Sequence, residues 1–328
     1  MKKLILASLI LFSAFAEAQD PHFSQYHSSP LTLNPAMTGF FEGDFRLSGN
    51  YRQQWWSLGT PFITGTVSYE QRIMKAKLKN DVFGIGVLGL YDQSLSGGFK
   101  SADIAVSASY HKALDAENKS KIGVGFQATY ASRSINSAHL SFANQFNGNG
   151  FDSNIPSNEN FGTMTQSYFD LNAGILYSYT AEKLNLYLGG SMYHIGSPNT
   201  SFLKDGNYIL PHRYTVHAGS RFILGDNRNE LFVGGLFMSQ ASATEKVIGA
   251  SYGISANTST MIYAGLSYRL EDSYIPYLGL SSGNFHLGMS YDVLTSDLKT
   301  YNPKNGSFEL SLTVSGSKPG NAYSNYKK

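Results

Sequence analysis

Ser307-Phe308-Glu309-Leu310-Ser311-Leu312-Thr313-Val314-Ser315, drawn as an extended chain, puts Phe308, Leu310, Leu312 and Val314 on one face and Glu309, Ser311 and Thr313 on the other. The same two-residue alternation recurs along most of the chain. Ile122, Val124, Phe126, Ala128 and Tyr130 repeat it, as do Phe169, Leu171, Ala173, Ile175 and Tyr177, and again Phe285, Leu287, Met289 and Tyr291. Asp170, Asn172, His286 and Asp292 fall on the opposite face. Strands that are apolar outside and polar inside, in a chain without cysteine, predict an all-β protein: a transmembrane antiparallel β-barrel of a bacterial outer membrane.

The beginning of the chain reads as a targeting segment. Lys2 and Lys3 precede an apolar stretch from Leu4 to Ala16, too short to span a bilayer as a helix. Ala16-Glu17-Ala18 is an A-x-A cleavage site, so residues 1–18 are expected to be a signal peptide. Charged residues make up 15% of the chain, against about 25% in ordinary soluble domains. Tyr and Phe number 22 and 21, yet mean hydropathy is only −0.21. A barrel with an apolar outside and a polar inside averages to such a value. No later apolar run is long enough for a spanning helix. A soluble β-sandwich or propeller fits the low charge and the aromatic content poorly. A net charge of +2 without a basic patch speaks against a nucleic-acid partner.

Fourteen strands are predicted, near 45–53, 62–72, 83–91, 102–111, 121–131, 168–178, 185–194, 213–223, 230–239, 247–256, 260–269, 274–280, 284–292 and 307–315. Each is close to the length that crosses a membrane at a tilt. Connections after odd strands (92–101, 132–167, 195–212, 293–306) are longer than those after even strands (112–120, 180–184, 224–229, 281–283). Outer-membrane barrels have long extracellular loops and short periplasmic turns, so strand one should rise from the periplasm and both termini should lie on the periplasmic side. The domain reading is signal peptide 1–18, an N-terminal plug segment 19–44, barrel 45–315 and a polar disordered tail 316–328.

Residues 19–44 do not alternate. Asn34 can cap a short helix or turn with Pro35 at its first position, and Gly39 can close it in the left-handed region. Phe23, Tyr26, Leu31, Leu33, Phe40 and Phe41 would be costly to leave in water, which favours a plug over a loose leader. Asp20-Pro21-His22-Phe23-Ser24-Gln25-Tyr26 followed by Asn34-Pro35-Ala36-Met37-Thr38-Gly39 resembles the opening signature of the PorP/SprF family of type IX secretion and gliding systems in Bacteroidetes. Tyr51-Arg52-Gln53-Gln54-Trp55, Pro61-Phe62, Ser68-Tyr69, His212-Arg213-Tyr214, His217-Ala218-Gly219, Ser290-Tyr291-Asp292 and Gly306-Ser307-Phe308-Glu309-Leu310 extend the resemblance to about residue 315. The Asn-Pro-Ala turn is also similar to the N-terminal hatch of FadL-type barrels.

The resemblance implies a non-enzymatic outer-membrane protein without a cofactor. Its implied partners are a secreted cargo, such as an adhesin C-terminal domain, other type IX components and outer-membrane lipid. The competing function is a FadL-like or porin-like transport channel. Candidate partner-binding or plug residues are Asp20, Pro21, Phe23, Ser24, Gln25, Asn34, Pro35, Arg52, Gln54, Trp55 and Trp56. Trp55 and Trp56 read equally as an interfacial belt or as a docking surface. Counting register gives one further expectation. Arg52 and Glu309 should meet inside the barrel across the seam between the first and last strands, with Asp292 one strand further on, forming a charge cluster.

Other chemistry is weaker. The eight histidines are scattered without metal-ligand spacing, although His212 and His217 flank one strand and could meet in the lumen. Ser107, Ser109 and His111 share a strand face, which a barrel acyl hydrolase would use only with an orienting group and a lipid-facing position. Gly84-Ile85-Gly86 is not followed by a helix and reads as strand glycine rather than a phosphate loop.

Overall fold

The alternation decides the wall. In the computed structural model Phe169 and Phe126 are 78% and 67% exposed on the outer face, whereas their neighbours Asp170 and Gln127 are buried on the inner one. The description covers residues 20–56, 61–152, 154–159, 161–225, 228–296 and 306–317. The expected signal peptide (1–18) and nearly all of the expected tail lie outside the described residues.

The strands are β1 (Phe45–Gln54), β2 (Phe62–Ile73), β3 (Val82–Ser94), β4 (Phe99–Ala113), β5 (Ser120–Asn136), β6 (Thr163–Thr180), β7 (Leu184–Tyr193), β8 (Arg213–Leu224), β9 (Asn229–Gln240), β10 (Ala243–Ser255), β11 (Thr260–Arg269), β12 (Ser273–Ser282), β13 (Phe285–Tyr291) and β14 (Ser307–Gly316). Val293–Leu294 carries β13 past Asp292 along β12. Each strand pairs antiparallel with its sequence neighbours, and β1 pairs with β14, so the sheet closes into a fourteen-stranded barrel. Closure leaves no edge, and every strand finds its backbone partners inside the sheet. No helix among the described residues is long and apolar enough to cross a membrane.

The register follows from the seam. Arg52 lies opposite Glu309, and Asn50 opposite Ser311, which turns Leu47, Tyr51, Leu310 and Leu312 outward together. The expected loop 132–167 is shorter than its composition suggested. β5 and β6 stay paired out to Asn136 and Thr163, because the polar Ser132, Arg133 and Ser134 sit on strands that project past the apolar band. The connection itself covers 137–162. Not every odd connection is long: Ala241 and Ser242 alone join β9 to β10.

One expectation fails on the path of the chain before β1. Asp20 bonds to His194 and Arg213 at the long-loop end, whereas Gly316 lies opposite Phe45 at the short-turn end. The described chain therefore starts at one end of the barrel and finishes at the other. Both termini were expected on one side. The reason for the difference is that residues 20–44 run the whole length of the lumen before β1 begins.

With long loops outside, whole-cell protease treatment should cut within 137–162 and spare the connection 225–228 between β8 and β9. Cleavage at that connection in intact cells would reverse the orientation.

Candidate functional site

The inner segment is built from short, self-capped pieces. Pro30–Leu33 forms one helical turn, α1. Pro35–Met37 forms a 3-10 turn whose first N–H groups are served by Asn34: its Oδ1 accepts from Ala36 N at 2.8 Å. Gly39, at φ +73°, ends that turn in the left-handed region. The Asn34 amide also donates to Ile175 O at 3.0 Å and lies 3.0 Å from His217 Nε2. Asn34 thus ties the segment to β6 and β8 while capping its own turn.

Apolar side chains fill the middle. Leu31 packs with Leu88 and Ala105, and Tyr26, Leu33, Ala36 and Met37 pack with Leu176, Leu236 and Val247. The wall is cut to receive this segment. A Cβ at Gly125 would overlap the Pro35–Ala36 peptide, and one at Gly174 would land on Asn34 Oδ1. Gly84 of the Gly84-Ile85-Gly86 stretch faces Thr38 and Gly39 in the same way, so these glycines permit close approach of backbone to backbone.

Three charged clusters hold the segment. At the seam, Arg52 lies 3.2 Å from Glu309 Oε1 and 3.3 Å from Asp292 Oδ2, and donates to His22 O. Glu309 accepts from the backbone of Ser24 at 2.6 Å and Gln25 at 2.8 Å. Arg269 joins the same network, 2.9 Å from Asp292, 3.2 Å from Glu245 and 2.6 Å from Ser24 Oγ. His22 closes it against Glu245 at 2.6 Å. Two guanidinium groups facing three carboxylates in a buried space give strong, charge-assisted contacts.

The second cluster anchors Asp20. His194 Nε2 lies 2.5 Å from Asp20 and its Nδ1 2.8 Å from Asp170, and Arg213 lies 3.2 Å from Asp20. Burial alone would lower the His194 imidazole, but the Asp20 charge and the Asp170 hydrogen bond outweigh it and hold it up at about 9. Burial likewise raises the Asp20 carboxyl, and His194 and Arg213 reverse this, holding it well below the usual carboxylate range. Both groups are therefore ionised at neutral pH.

The third cluster sits at the short-turn end. Glu70, fully buried, accepts from Gly39 N at 3.0 Å and from Arg46 Nε at 2.8 Å. Arg46 and Arg72 lie over the Phe41 ring at 4.8 and 5.1 Å.

The structure thus joins Ser24 and Gln25 on the inner segment to Arg52, Asp292 and Glu309 on the wall, whereas Asp20 meets His194 and Arg213 and the Asn34–Pro35 turn sits midway against β5, β6 and β8. Pro21 lines a cavity beside Asp20, and Phe23 is 3% exposed. Gln54, Trp55 and Trp56 stand apart. Gln54 ends β1, Trp55 packs on Phe62 with ring centres 4.8 Å apart, and Trp56 is 54% exposed. His212 and His217 do not meet: His212 lies 2.8 Å from His194 O in the connection after β7, and His217 reaches Asn34. Ser107, Ser109 and His111 face inward, where Ser107 and Ser109 bond to Thr38. No group of three His, Asp or Glu side chains among the described residues could hold a metal ion.

The sequence reading passed over Arg213, His194, Arg269, Glu245, Arg46 and Glu70. Strand parity was the available signal for all of these except His194, which stands just past β7 at a left-handed φ of +64°. Arg213 shares its face with Thr215 and His217, opposite Tyr214 and Val216.

Comparison with known proteins agrees with this architecture. The family model described as type IX secretion system membrane protein PorP/SprF matches residues 15–314. A comparison with curated protein sequences gives no significant match. Among solved structures, the chain is similar to a Pseudomonas aeruginosa FadL homologue at 13% identity and TM-score 0.50, covering 86% of this chain and 92% of that one. It is also similar to the Ralstonia pickettii toluene transporter TbuX at 12% identity and TM-score 0.49, covering 88% and 92% of the two chains. At 13% identity the likeness to the FadL homologue describes the fold alone.

Proposed function

Because the chain belongs to the PorP/SprF family of type IX secretion system membrane proteins, we propose that it is an accessory barrel of that system which holds a secreted cargo at its long-loop mouth and catalyses no reaction. The cargo is an exported protein such as an adhesin carrying a C-terminal sorting domain. Other secretion components are further partners, outer-membrane lipid covers the apolar wall, and the host is a Gram-negative cell of Bacteroidetes type.

The observation that carries this reading is the occupied lumen. A segment pinned at the long-loop end by the Asp20–Arg213 ion pair and the Ser24 and Gln25 bonds to Glu309, and at the short-turn end by the Gly39 bond to Glu70, with Asn34 fixed between them, acts as a plug and favours a platform over a conduit. What a partner can reach from outside is then the rim, including exposed Trp56, the connection 137–162 and the outer end of the segment at Asp20.

A transport channel is the competing reading. It would require the segment to leave or shift, because its side chains occupy the space between opposite walls. The test is a deletion strain combined with affinity purification from native outer membrane. Loss of the protein should leave one exported protein released or degraded while general secretion continues, and that protein should co-purify with the tagged barrel. Unaltered surface levels of every exported protein would remove the cargo reading.

A further inference from the structure

Between the inner segment and β3 to β7, at the long-loop end, lies a cavity of about 120 Å³. Asp92, Asp103 and Asp170 line it together with Arg133, Phe99 and Tyr168. Asp170 is only 4% exposed; its Oδ2 meets His194, and its Oδ1 has no partner. Asp92 accepts the Thr64 hydroxyl at 2.6 Å and Asp103 the Ser101 hydroxyl at 3.1 Å. Neither has a cation at ion-pair distance among the described residues. Asp92 faces Ser101 in the β3–β4 register and Leu90 faces Asp103, so the two residues are diagonal neighbours with α-carbons about 7–8 Å apart along the wall.

The charges do not balance. Arg213 and His194 are taken up by Asp20. Arg133 stands over the Tyr168 ring at 5.2 Å and reaches Asp20 only at 3.9 Å. Asp92, Asp103 and the free oxygen of Asp170 are left facing a partly apolar space. Asp92 and Asp103 stand beside Leu88, Leu90 and Phe99 on the same strand faces, a lining that matches a cationic head on an aliphatic stem. The volume suits the end of one long side chain, being a little below the roughly 150 Å³ of a cavity that takes up benzene. Asp20 and Arg133 keep 12% and 19% of their side-chain exposure, which leaves the cavity in touch with the mouth.

We propose that this cavity is a seat for one primary ammonium or guanidinium group, presented as a lysine or arginine side chain by the partner polypeptide. The inference rests on the cargo reading for the source of the cation, and on Asp92, Asp103 and Asp170 for its chemistry.

The test is calorimetric titration of the purified barrel in detergent with N-acetyl-arginine-amide and n-butylammonium, using N-acetyl-glutamate-amide as the anionic control. Both cations should bind and the control should not. Asp103→Asn keeps a group that can accept from Ser101 and should weaken cation binding about tenfold, the usual effect of losing one charged contact. Asp92→Asn is the second variant and should do the same. Absence of cation binding, binding of the anion instead, or unchanged affinity in both variants overturns the seat and leaves the cargo reading to the deletion strain. In cells, both variants should release the exported protein from the surface. Lost probe binding with unchanged retention overturns the partner side chain as the source and leaves a small free amine as the ligand.

Discussion

Placing a leucine at position 125 will drive the inner segment out of its seat while the barrel still closes. The wall there touches the segment backbone to backbone, and a Cβ at Gly125 already overlaps the Pro35–Ala36 peptide. Overpacking commonly costs about 1–3 kcal/mol, and this site belongs at or above the upper end because neither strand β5 nor the capped turn can give way. The barrel itself keeps its hydrogen bonds, because the outer side chains and the ladder are untouched. The chain has no cysteine, which provides a clean reporter. Thr38 Oγ1 and Ser107 Oγ are 2.9 Å apart, so a Thr38→Cys, Ser107→Cys pair should form a disulfide on mild oxidation of native membranes. Adding Gly125→Leu should abolish that cross-link. A cross-link of undiminished yield would show that the wall tolerates bulk and that the close approach is incidental.

The second large effect is expected at the seam. Arg52 is 2% exposed, and its removal leaves Glu309 and Asp292 buried side by side. Breaking a buried ion pair by deleting one partner costs roughly 3–5 kcal/mol. Part of this is offset here, because Arg269 still faces Asp292 and two backbone N–H groups still face Glu309. We expect Arg52→Ala to cost about 3 kcal/mol in denaturant unfolding from detergent, toward the lower end of that range. Adding Glu309→Gln should recover part of the loss, since the uncompensated charge is then gone. A single variant as stable as wild type, or a double variant worse than the sum of its parts, would remove the ion pair as a stabilising contact.

Much of the wall was legible because the period-two pattern is a direct consequence of the pleat. An apolar outer face and polar contacts inside leave little freedom at Phe126, Phe169 or Leu310, and the register at the seam follows from them. That is why Arg52, Glu309 and Asp292 could be placed together from the sequence. The arms 132–136 and 163–167 were missed because strands that leave the apolar band lose the pattern that marks them. The course of residues 20–44 was misread for a different reason. A segment with its own caps, such as Asn34 and Gly39, has a local structure that can be read, but its direction through the lumen is set by contacts hundreds of residues away. Ser24 meets Glu309 and Asp20 meets Arg213. No spacing in the sequence announces those pairs, and so Arg213 and Arg269 were not placed at the site although their parity points inward, whereas His194 stands just past β7 with the parity of the outward-facing Leu188 and turns in at a left-handed φ of +64°.

A lumen filled by residues 20–44 should pass no ions, and the current through planar bilayers holding the purified chain tests this most directly. The wild-type barrel is predicted to give no stable conductance steps, and the same barrel lacking residues 20–39 to give steps of a water-filled pore. Wild-type steps as large as those of the deletion variant would show that the inner segment does not close the lumen.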